Sequence, residues 1–385
     1  MKVLHVCLAS FYIDNYSYQE NMLPKHHKQM GLDVEILASL VSFDENGNSC
    51  LMKSGGSYIN EYDIPVTRLD YKKSKFSKRL RQYKGTFAAI KKSRPDIIFI
   101  HGCQFYDIKY IVKYVKENPL VKVYVDNHAD FSNSAKNWIS KHILHKIVWK
   151  HCASEIEPYT TKFYGVLPAR VDFLVNMYKI PEEKVELLVM GADDDEVEKA
   201  KSEKSKQIVR NSYGIEEKDF LVMTGGKIDH AKKQTLLLMQ AIKNINNDNI
   251  KLVVFGSVVN DLKKQVNDLC DGKKVQFIGW LENHESYKHL ASSDLVVFPG
   301  RHSVLWEQVV GLGKPIVVKY WEGTTHVDLG GNCKFLYEDS IDEIMLVIEE
   351  LYNNRDQYLG MKEVAEQKGI HEFSYKDISK RCIQY

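Results

Sequence analysis

Two short segments in the second half of the chain combine residue types that can do chemistry. The first is GGKIDHAKK, residues 225–233. Gly225 and Gly226 end an apolar run, Lys227 follows at once, and Lys233 stands six residues later, where the helix-like QTLLLMQAI begins. Paired glycines let backbone come close to a ligand. Two ammonium groups at a loop and a helix start suit a diphosphate, aided by the unpaired N–H groups there. Lys232 reads as a solvated surface lysine. The plainer alternative for the whole segment is a turn with exposed lysines. Neither GxxxxGK[ST] nor GxGxxG is present, so this is not a P-loop or a dinucleotide fingerprint.

The second segment is RHSVLWEQVVGLG, residues 301–313. On a helix, Leu305, Val309 and Leu312 share one face, and Glu307 points about 200° away from Leu305. A carboxylate in so apolar a stretch needs hydrogen-bond partners, and a ribose diol offers two donors. His302, Ser303 and Val304 lie at the helix start, where backbone N–H groups favour phosphate. The alternative is that Ser303 caps the helix and Glu307 is a partly exposed acid. Gly279, within the run KVQFIGW (274–280), joins the same expected donor set.

A third segment, VDNHADFSNS (125–134), puts Asn127, His128 and Asp130 directly after an apolar run in the first half. His128 is either a site histidine whose tautomer Asp130 fixes or a histidine satisfied at a strand end. His101, near the end of DIIFIHG (96–102), is a weaker rival for that role. The loop FYIDNYSYQEN, with Tyr18 and Gln19, offers stacking and hydrogen-bonding groups for a sugar. Asp193, Asp194 and Asp195 read as an acidic helix start. His26-His27 and His142/His145 have the spacing of pairs only and read as helix-surface histidines, so no metal is expected.

These segments need rigid elements to hold them. Eleven short apolar runs alternate with helical stretches: 2–10, 33–39, 64–70, 96–102, 122–129 and 184–191, then 219–226, 251–257, 274–280, 294–300 and 315–320. Near-continuous apolar strands between helices mark parallel sheets covered on both faces. Eleven strands exceed one ordinary sheet, so an α/β chain with two doubly wound, Rossmann-like domains is expected. Ligands then bind where strands end and helices begin. The polar stretch 191–215 marks the boundary. We expect a domain over 1–195, a second over 196–370, and a C-terminal helix over 371–385 that packs back on the first.

The 385 residues carry a formal net charge of +2. The seven cysteines are scattered, with no CxxC, which fits reduced thiols in a cytoplasm. The apolar start MKVLHVCLAS has one basic residue and reads as a buried strand rather than a signal peptide. Charge is uneven. Residues 71–94 hold ten Lys or Arg and no acid, and suit a polyanion or an anionic membrane surface. For 136–151 the reading adopted is a surface helix with Ile139, Ile143 and Ile147 packed inward. No nucleic-acid recognition motif accompanies either stretch.

Taken together, the first two segments resemble the retaining glycosyltransferases of the GT-B fold, family 4 (glycosyl transferases group 1). Lys227 and Lys233 match that family's G-(R/K)-x5-K element, and Glu307 resembles the second acid of its E-x7-E element. The passages YSYQENMLPKHHKQMGLDVEILAS, VQFIGWLENHESYKHLASSDLVVFPG and VGLGKPIVV are also similar, so the resemblance spans nearly the whole chain. It implies two domains facing across a cleft that closes on the donor, and a metal-independent hexosyltransferase. The donor would be a nucleotide-diphosphate sugar, UDP by family frequency, and no further cofactor is implied. Gly226, Lys227, Lys233, Gly279, His302, Ser303, Val304 and Glu307 would hold the donor. Tyr18, Gln19, Asn127, His128 and Asp130 would meet a sugar or lipid-linked acceptor, as in cell-surface polysaccharide assembly. One departure stands out. Eight residues before Glu307 lies Pro299, not an acid, and an offset of one would put Gln308 at the family position. A catalytically idle module binding a partner or glycan, or a sugar-nucleotide epimerase, is the alternative. A phosphorylase would need a pyridoxal-phosphate lysine that has no clear signature.

Overall fold

The computed structural model describes residues 1–44, 49–135 and 137–383. The chain forms two compact units. One comprises Met1–Val189 and the tail from Ile378; the other is Met190–Asp377. The first unit thus ends six residues before the expected boundary. Gln384 and Tyr385 of the expected C-terminal helix, and Lys136 of the second basic stretch, lie outside the described residues.

In the first unit the strands are β1 (Lys2–Cys7), β2 (Asp33–Ala38), β3 (Val41–Phe43), β4 (Ser49–Leu51), β5 (Gly56–Ile59), β6 (Pro65–Arg68), β7 (Ile97–His101), β8 (Lys122–Asn127), β9 (Thr160–Gly165) and β10 (Val185–Leu187). Eight form one sheet in the order β10-β9-β8-β7-β1-β2-β6-β5. All its pairings are parallel except β5 with β6. β3 and β4 form a separate antiparallel pair. β1, β7 and β8 are buried almost end to end, as a strand covered on both faces must be. The main core lies on one face around Val6, Ile98, Ile100, Val125 and Phe163. A smaller cluster on the other includes Ile36 and Val66.

The second unit has β11 (Phe220–Gly225), β12 (Ile250–Phe255), β13 (Val275–Phe277), β14 (Leu295–Phe298), β15 (Ile316–Lys319) and β16 (Cys333–Leu336). They form an all-parallel sheet in the order β13-β12-β11-β14-β15-β16. The chain runs from β11 outward to β13, then returns to β14 on the other side of β11. That reversal is the switch point at which doubly wound sheets bind ligands. In the first unit the corresponding reversal lies between β1 and β7.

All eleven expected runs are strands. The sequence missed β9 (TTKFYG) and β16 (CKFL), which lack a continuous apolar run, as well as the short pieces β3, β4 and β5. The face expected to be buried on 136–151 is the exposed one. Trp138, Ile139, Ile143 and Ile147 are 68%, 51%, 41% and 62% exposed. The π-helical stretch Ser140–Trp149 instead buries His145 and Trp149 and packs Leu144 and Val148 on the core. Both stripes are apolar, and periodicity alone does not choose between them. Among the described residues no helix is long and apolar enough to cross a membrane.

Candidate functional site

The two lysine- and glutamate-bearing segments leave the ends of β11 and β14, which are neighbouring parallel strands at the switch point. Their loops meet. A Cβ on Gly226 would lie 3.8 Å from the Leu305 side chain, and one on Gly300 would lie 3.4 Å from Gln234 Oε1 and 3.6 Å from Lys232 Cα. Gly226 has φ +113°. Gly256, after β12, has φ +127°, and a Cβ there would lie 1.9 Å from the Gly226 carbonyl oxygen. Glycine is thus required where these two strand ends touch. Gly279 (φ +79°) supports the same corner, its carbonyl accepting from the Gly256 N–H at 2.7 Å.

Lys227 and Lys233 are both exposed. Lys232, read from sequence as a surface lysine, is half-buried. Its backbone N–H donates to Asp229 Oδ1 at 3.1 Å, and burial lowers its ammonium pKa while Asp229 opposes the shift. Lys233 stands at the cap of helix Gln234–Asn244, with its charge felt by Asp339. A turn that folds one of two adjacent lysines inward leaves the other outside, and the spacing did not say which.

Glu307 differs most from expectation. The helix Leu305–Gly311 is buried from Trp306 onward, and Glu307 is 0% exposed. Its Oε1 accepts from His302 Nε2 and from His326 Nε2, each at 2.8 Å. Burial by itself would raise its pKa; the charge of His302 and the hydrogen bonds from both imidazoles reverse that, holding it well below the usual carboxylate range. Oε2 is buried with no hydrogen-bond partner among the described residues, and so are Gln308 Oε1 and His326 Nδ1. The donor atoms of His302, Glu307 and His326 lie within 4.8 Å of one another, yet each imidazole Nε2 is already directed at the carboxylate. His326 was missed because it lies in a loop 19 residues from Glu307 with no flanking motif. Ser303 does not cap: Val304 occupies that position. A seven-residue helix has a weak dipole, so lysine charge matters more here than the helix tip.

In the first unit, His128 follows β8 and lies 3.4 Å from Asp126 Oδ2 and 3.9 Å from Glu20 Oε1 through Nε2. Burial works against its charged form, but Asp126 and Glu20 outweigh it and raise its pKa. Asp126, not Asp130, is therefore the carboxylate that addresses His128. Asp130 accepts from Arg170 Nε at 3.1 Å and from Ser132 and Asn133. Asn127 is also fully engaged: Oδ1 accepts from Gln104 Nε2 at 2.9 Å, and Nδ2 donates to the Ala129 and Arg170 carbonyls. Through these bonds both residues hold the loop after β8. Gln19 donates to Asp126 Oδ2 at 3.3 Å while its Oε1 has no partner among the described residues. Tyr18 starts helix Gln19–Gln29 and stacks on Tyr16. His26, His27 and His145 are buried, against the surface reading. Asp193 does begin a helix, accepting from Asp195 N at 3.2 Å, and Asp194 accepts from Ser374 Oγ and Lys376 N.

Residues 205–368 match the family model for glycosyl transferases group 1. The match lies within the second unit. A curated relative, an uncharacterized glycosyltransferase of Methanocaldococcus jannaschii, is 26% identical over 150 residues, which are 37% of this chain and 38% of the relative's length. Across the whole chain, the architecture is similar to a glycosyltransferase from Rickettsia africae (TM-score 0.69, 14% identity, 99% of this chain and 96% of that one). It is also similar to Anabaena HepE, solved in complex with UDP (TM-score 0.66, 14% identity, 99% and 98%). The chain has the two-domain α/β fold of the GT-B type. At such identities the likeness establishes the fold and not the reaction.

Proposed function

We propose that the protein is a retaining, metal-independent hexosyltransferase of family 4 that moves a sugar from a nucleotide-diphosphate donor to a sugar or lipid-linked acceptor in cell-surface glycan assembly. The observation that carries this reading is the meeting of the two switch-point loops, Gly300 against Lys232 and Gly226 against Leu305. Lys227 and Lys232, with Lys233 at the helix start, neutralise charge that grows on the leaving diphosphate, the electrostatic effect that usually dominates such transfer. An ammonium disfavoured by burial gains most from a phosphate partner. Backbone at His302, Ser303 and Val304 completes the phosphate side. Glu307 holds His302 in place, and its free Oε2 accepts a hydroxyl of the nucleotide. UDP is the nucleotide favoured, as in the HepE complex. His128, with Gln19 and Tyr18, serves the acceptor.

The acceptor is lipid-linked and met at the inner face of an anionic membrane. Of the basic residues in 71–94, Lys72 pairs with Asp107 and Arg81 donates to the Gln104 carbonyl; the others, Lys73, Lys75, Lys78, Arg79, Lys84, Lys91, Lys92 and Arg94, are exposed. The exposed Trp138, Ile139, Ile143 and Ile147, with exposed Lys141 and Lys146 among them, add the apolar insertion that such a surface takes. A thermal-shift panel of nucleotide sugars tests the donor. A true donor stabilises by about 2.7 kcal/mol at a hundredfold excess over Kd. An idle module responds to none, and an epimerase converts its sugar nucleotide with no acceptor present; either result overturns the proposal.

A further inference from the structure

The first unit contains a chain of buried side chains that the transfer reading leaves unused. His27 Nε2 lies 3.0 Å from the Ser379 carbonyl oxygen, and His27 Nδ1 lies 2.9 Å from His5 Nε2. His5 Nδ1 lies 3.0 Å from His101 Nε2, and His101 Nδ1 lies 2.8 Å from Asp126 Oδ2. His5, His27, His101, Asp126 and Ser379 are all 0% exposed. The fold makes the alignment. His5 on β1 and His101 at the end of β7 are on adjacent strands, His101 pairs in register with Asp126 on β8, and His27 comes down from helix Gln19–Gln29.

Both ends of this chain are acceptors, a carbonyl and a carboxylate. Every link needs a proton between its heavy atoms, so the four links need four. A neutral imidazole carries only one N–H, so three of them supply three. We infer that this chain holds a fourth proton, resident on His101 as a buried imidazolium against Asp126, and that this cation sets the negative charge His128 sees. His5, His27, His101 and Asp126 are then positioning residues for His128.

The place of the proton follows from electrostatics. Shifting N–H groups along the links could move it to His5 or His27, but each step takes it farther from the only carboxylate in the chain. Burial, reinforced by the neighbouring histidines, keeps His5 neutral, and burial keeps His27 neutral with a pKa lowered to about 4. Burial pushes Asp126 up, but His101 and His128 more than reverse this, and Gln19 also donates to it, so the carboxylate stays ionised. Losing the proton would leave two lone pairs facing each other and an uncompensated buried anion, both costly. The other groups around the cluster are Glu20 from the same helix as His27, Arg170 facing His128, and His26 beside His27. The thiols of Cys7, Cys103 and Cys382 complete it; burial raises all three, so they are neutral, with Arg68, Arg81 and Arg381 near them.

Replacing His27 separates a proton count from mere packing. In His27→Gln the amide can donate to Ser379 and accept from His5, so the fourth proton stays. In His27→Leu two links vanish; His5 and His101, each with one N–H on Nδ1, satisfy the two that remain, and Asp126 keeps its hydrogen bonds but loses its buried countercation beside His128. The experiment is two-bond 1H–15N correlation of imidazole-labelled full chain from about pH 6 to about pH 9. Wild type should show His5 and His27 with N–H at Nε2 only, and His101 doubly protonated throughout. His27→Gln should match it. His27→Leu should show a singly protonated His101 and a His128 midpoint raised by about half a pH unit or more. A neutral His101 in wild type overturns the inference, and so does a His101 signal identical in the Gln and Leu variants. The wild-type spectrum decides even if His27→Leu fails to fold. Only the use made of His128 rests on the glycosyl-transfer reading; the spectrum involves no sugar, so either can fail alone.

Discussion

Glu307→Gln isolates the feature that most distinguishes the second unit. The amide keeps the shape of the side chain but removes the charge that two imidazoles address at 2.8 Å. A hydrogen bond to a charged group contributes about 1.5–3 kcal/mol and a neutral one about 0.5–1.5. Two such exchanges in a fully buried position amount to a loss of about 2–3 kcal/mol. The second unit spans Met190–Asp377, a size at which melting falls by about 2–4 °C per kcal/mol, so its transition should drop by about 4–12 °C. The carboxyl is held well below its ordinary value. Its contribution is therefore complete above the unfolded carboxyl pKa of 4.5 and is lost only as pH falls through the folded value. Calorimetry at neutral pH gives the full effect. Nucleotide-sugar affinity should fall with it, because His302 is no longer held. A transition within about 1 °C of wild type would refute the claim that Glu307 anchors the two histidines.

Three other outcomes are expected. Gly256→Ala places a Cβ 1.9 Å from the Gly226 carbonyl at φ +127°, which should cost roughly 2–5 kcal/mol and abolish nucleotide binding; unchanged urea stability would contradict the packing described. Acid should weaken the first unit through His27, whose folded pKa of about 4 lies below its unfolded 6.5. That stability is full above pH 6.5 and declines by up to about 3 kcal/mol as pH falls towards 4, and His27→Gln should flatten the urea-midpoint profile over that window. Reversing Lys73, Lys75 and Lys78 to Glu, or changing Ile143 and Ile147 to Glu, should each reduce sedimentation with phosphatidylserine vesicles at least about tenfold, given about 1 kcal/mol per basic residue; equal pelleting would remove the membrane reading.

Much of this was legible in the sequence because parallel strands buried on both faces must be apolar throughout. The eleven runs that became strands say so directly, and their loops then name the candidate segments. What escaped notice had no local signature. Lys232 and Lys233 are adjacent, and only the turn at Asp229 decides which is half-buried. Glu307 was expected to need hydrogen-bond partners, but the spacing named a ribose diol and not the two imidazoles that occupy Oε1, because one of them comes from a distant loop. His326 and the His5–His27–His101–Asp126 chain are assembled from residues far apart in sequence, and only strand order brings them together. On the π-helical stretch, two apolar stripes competed for the core and the outward one was the better patterned.

The central claim is that a nucleotide diphosphate sits against the loops at the β11–β14 switch point with Lys232 as its half-buried cation. Titration calorimetry of UDP-sugars into wild type, Lys232→Ala and Lys233→Ala tests it most directly. The account predicts binding to wild type, a loss of about tenfold or more in Lys232→Ala, and a smaller loss in Lys233→Ala. No heat with any nucleotide sugar, or a Lys232→Ala protein that binds as wild type does, would contradict it.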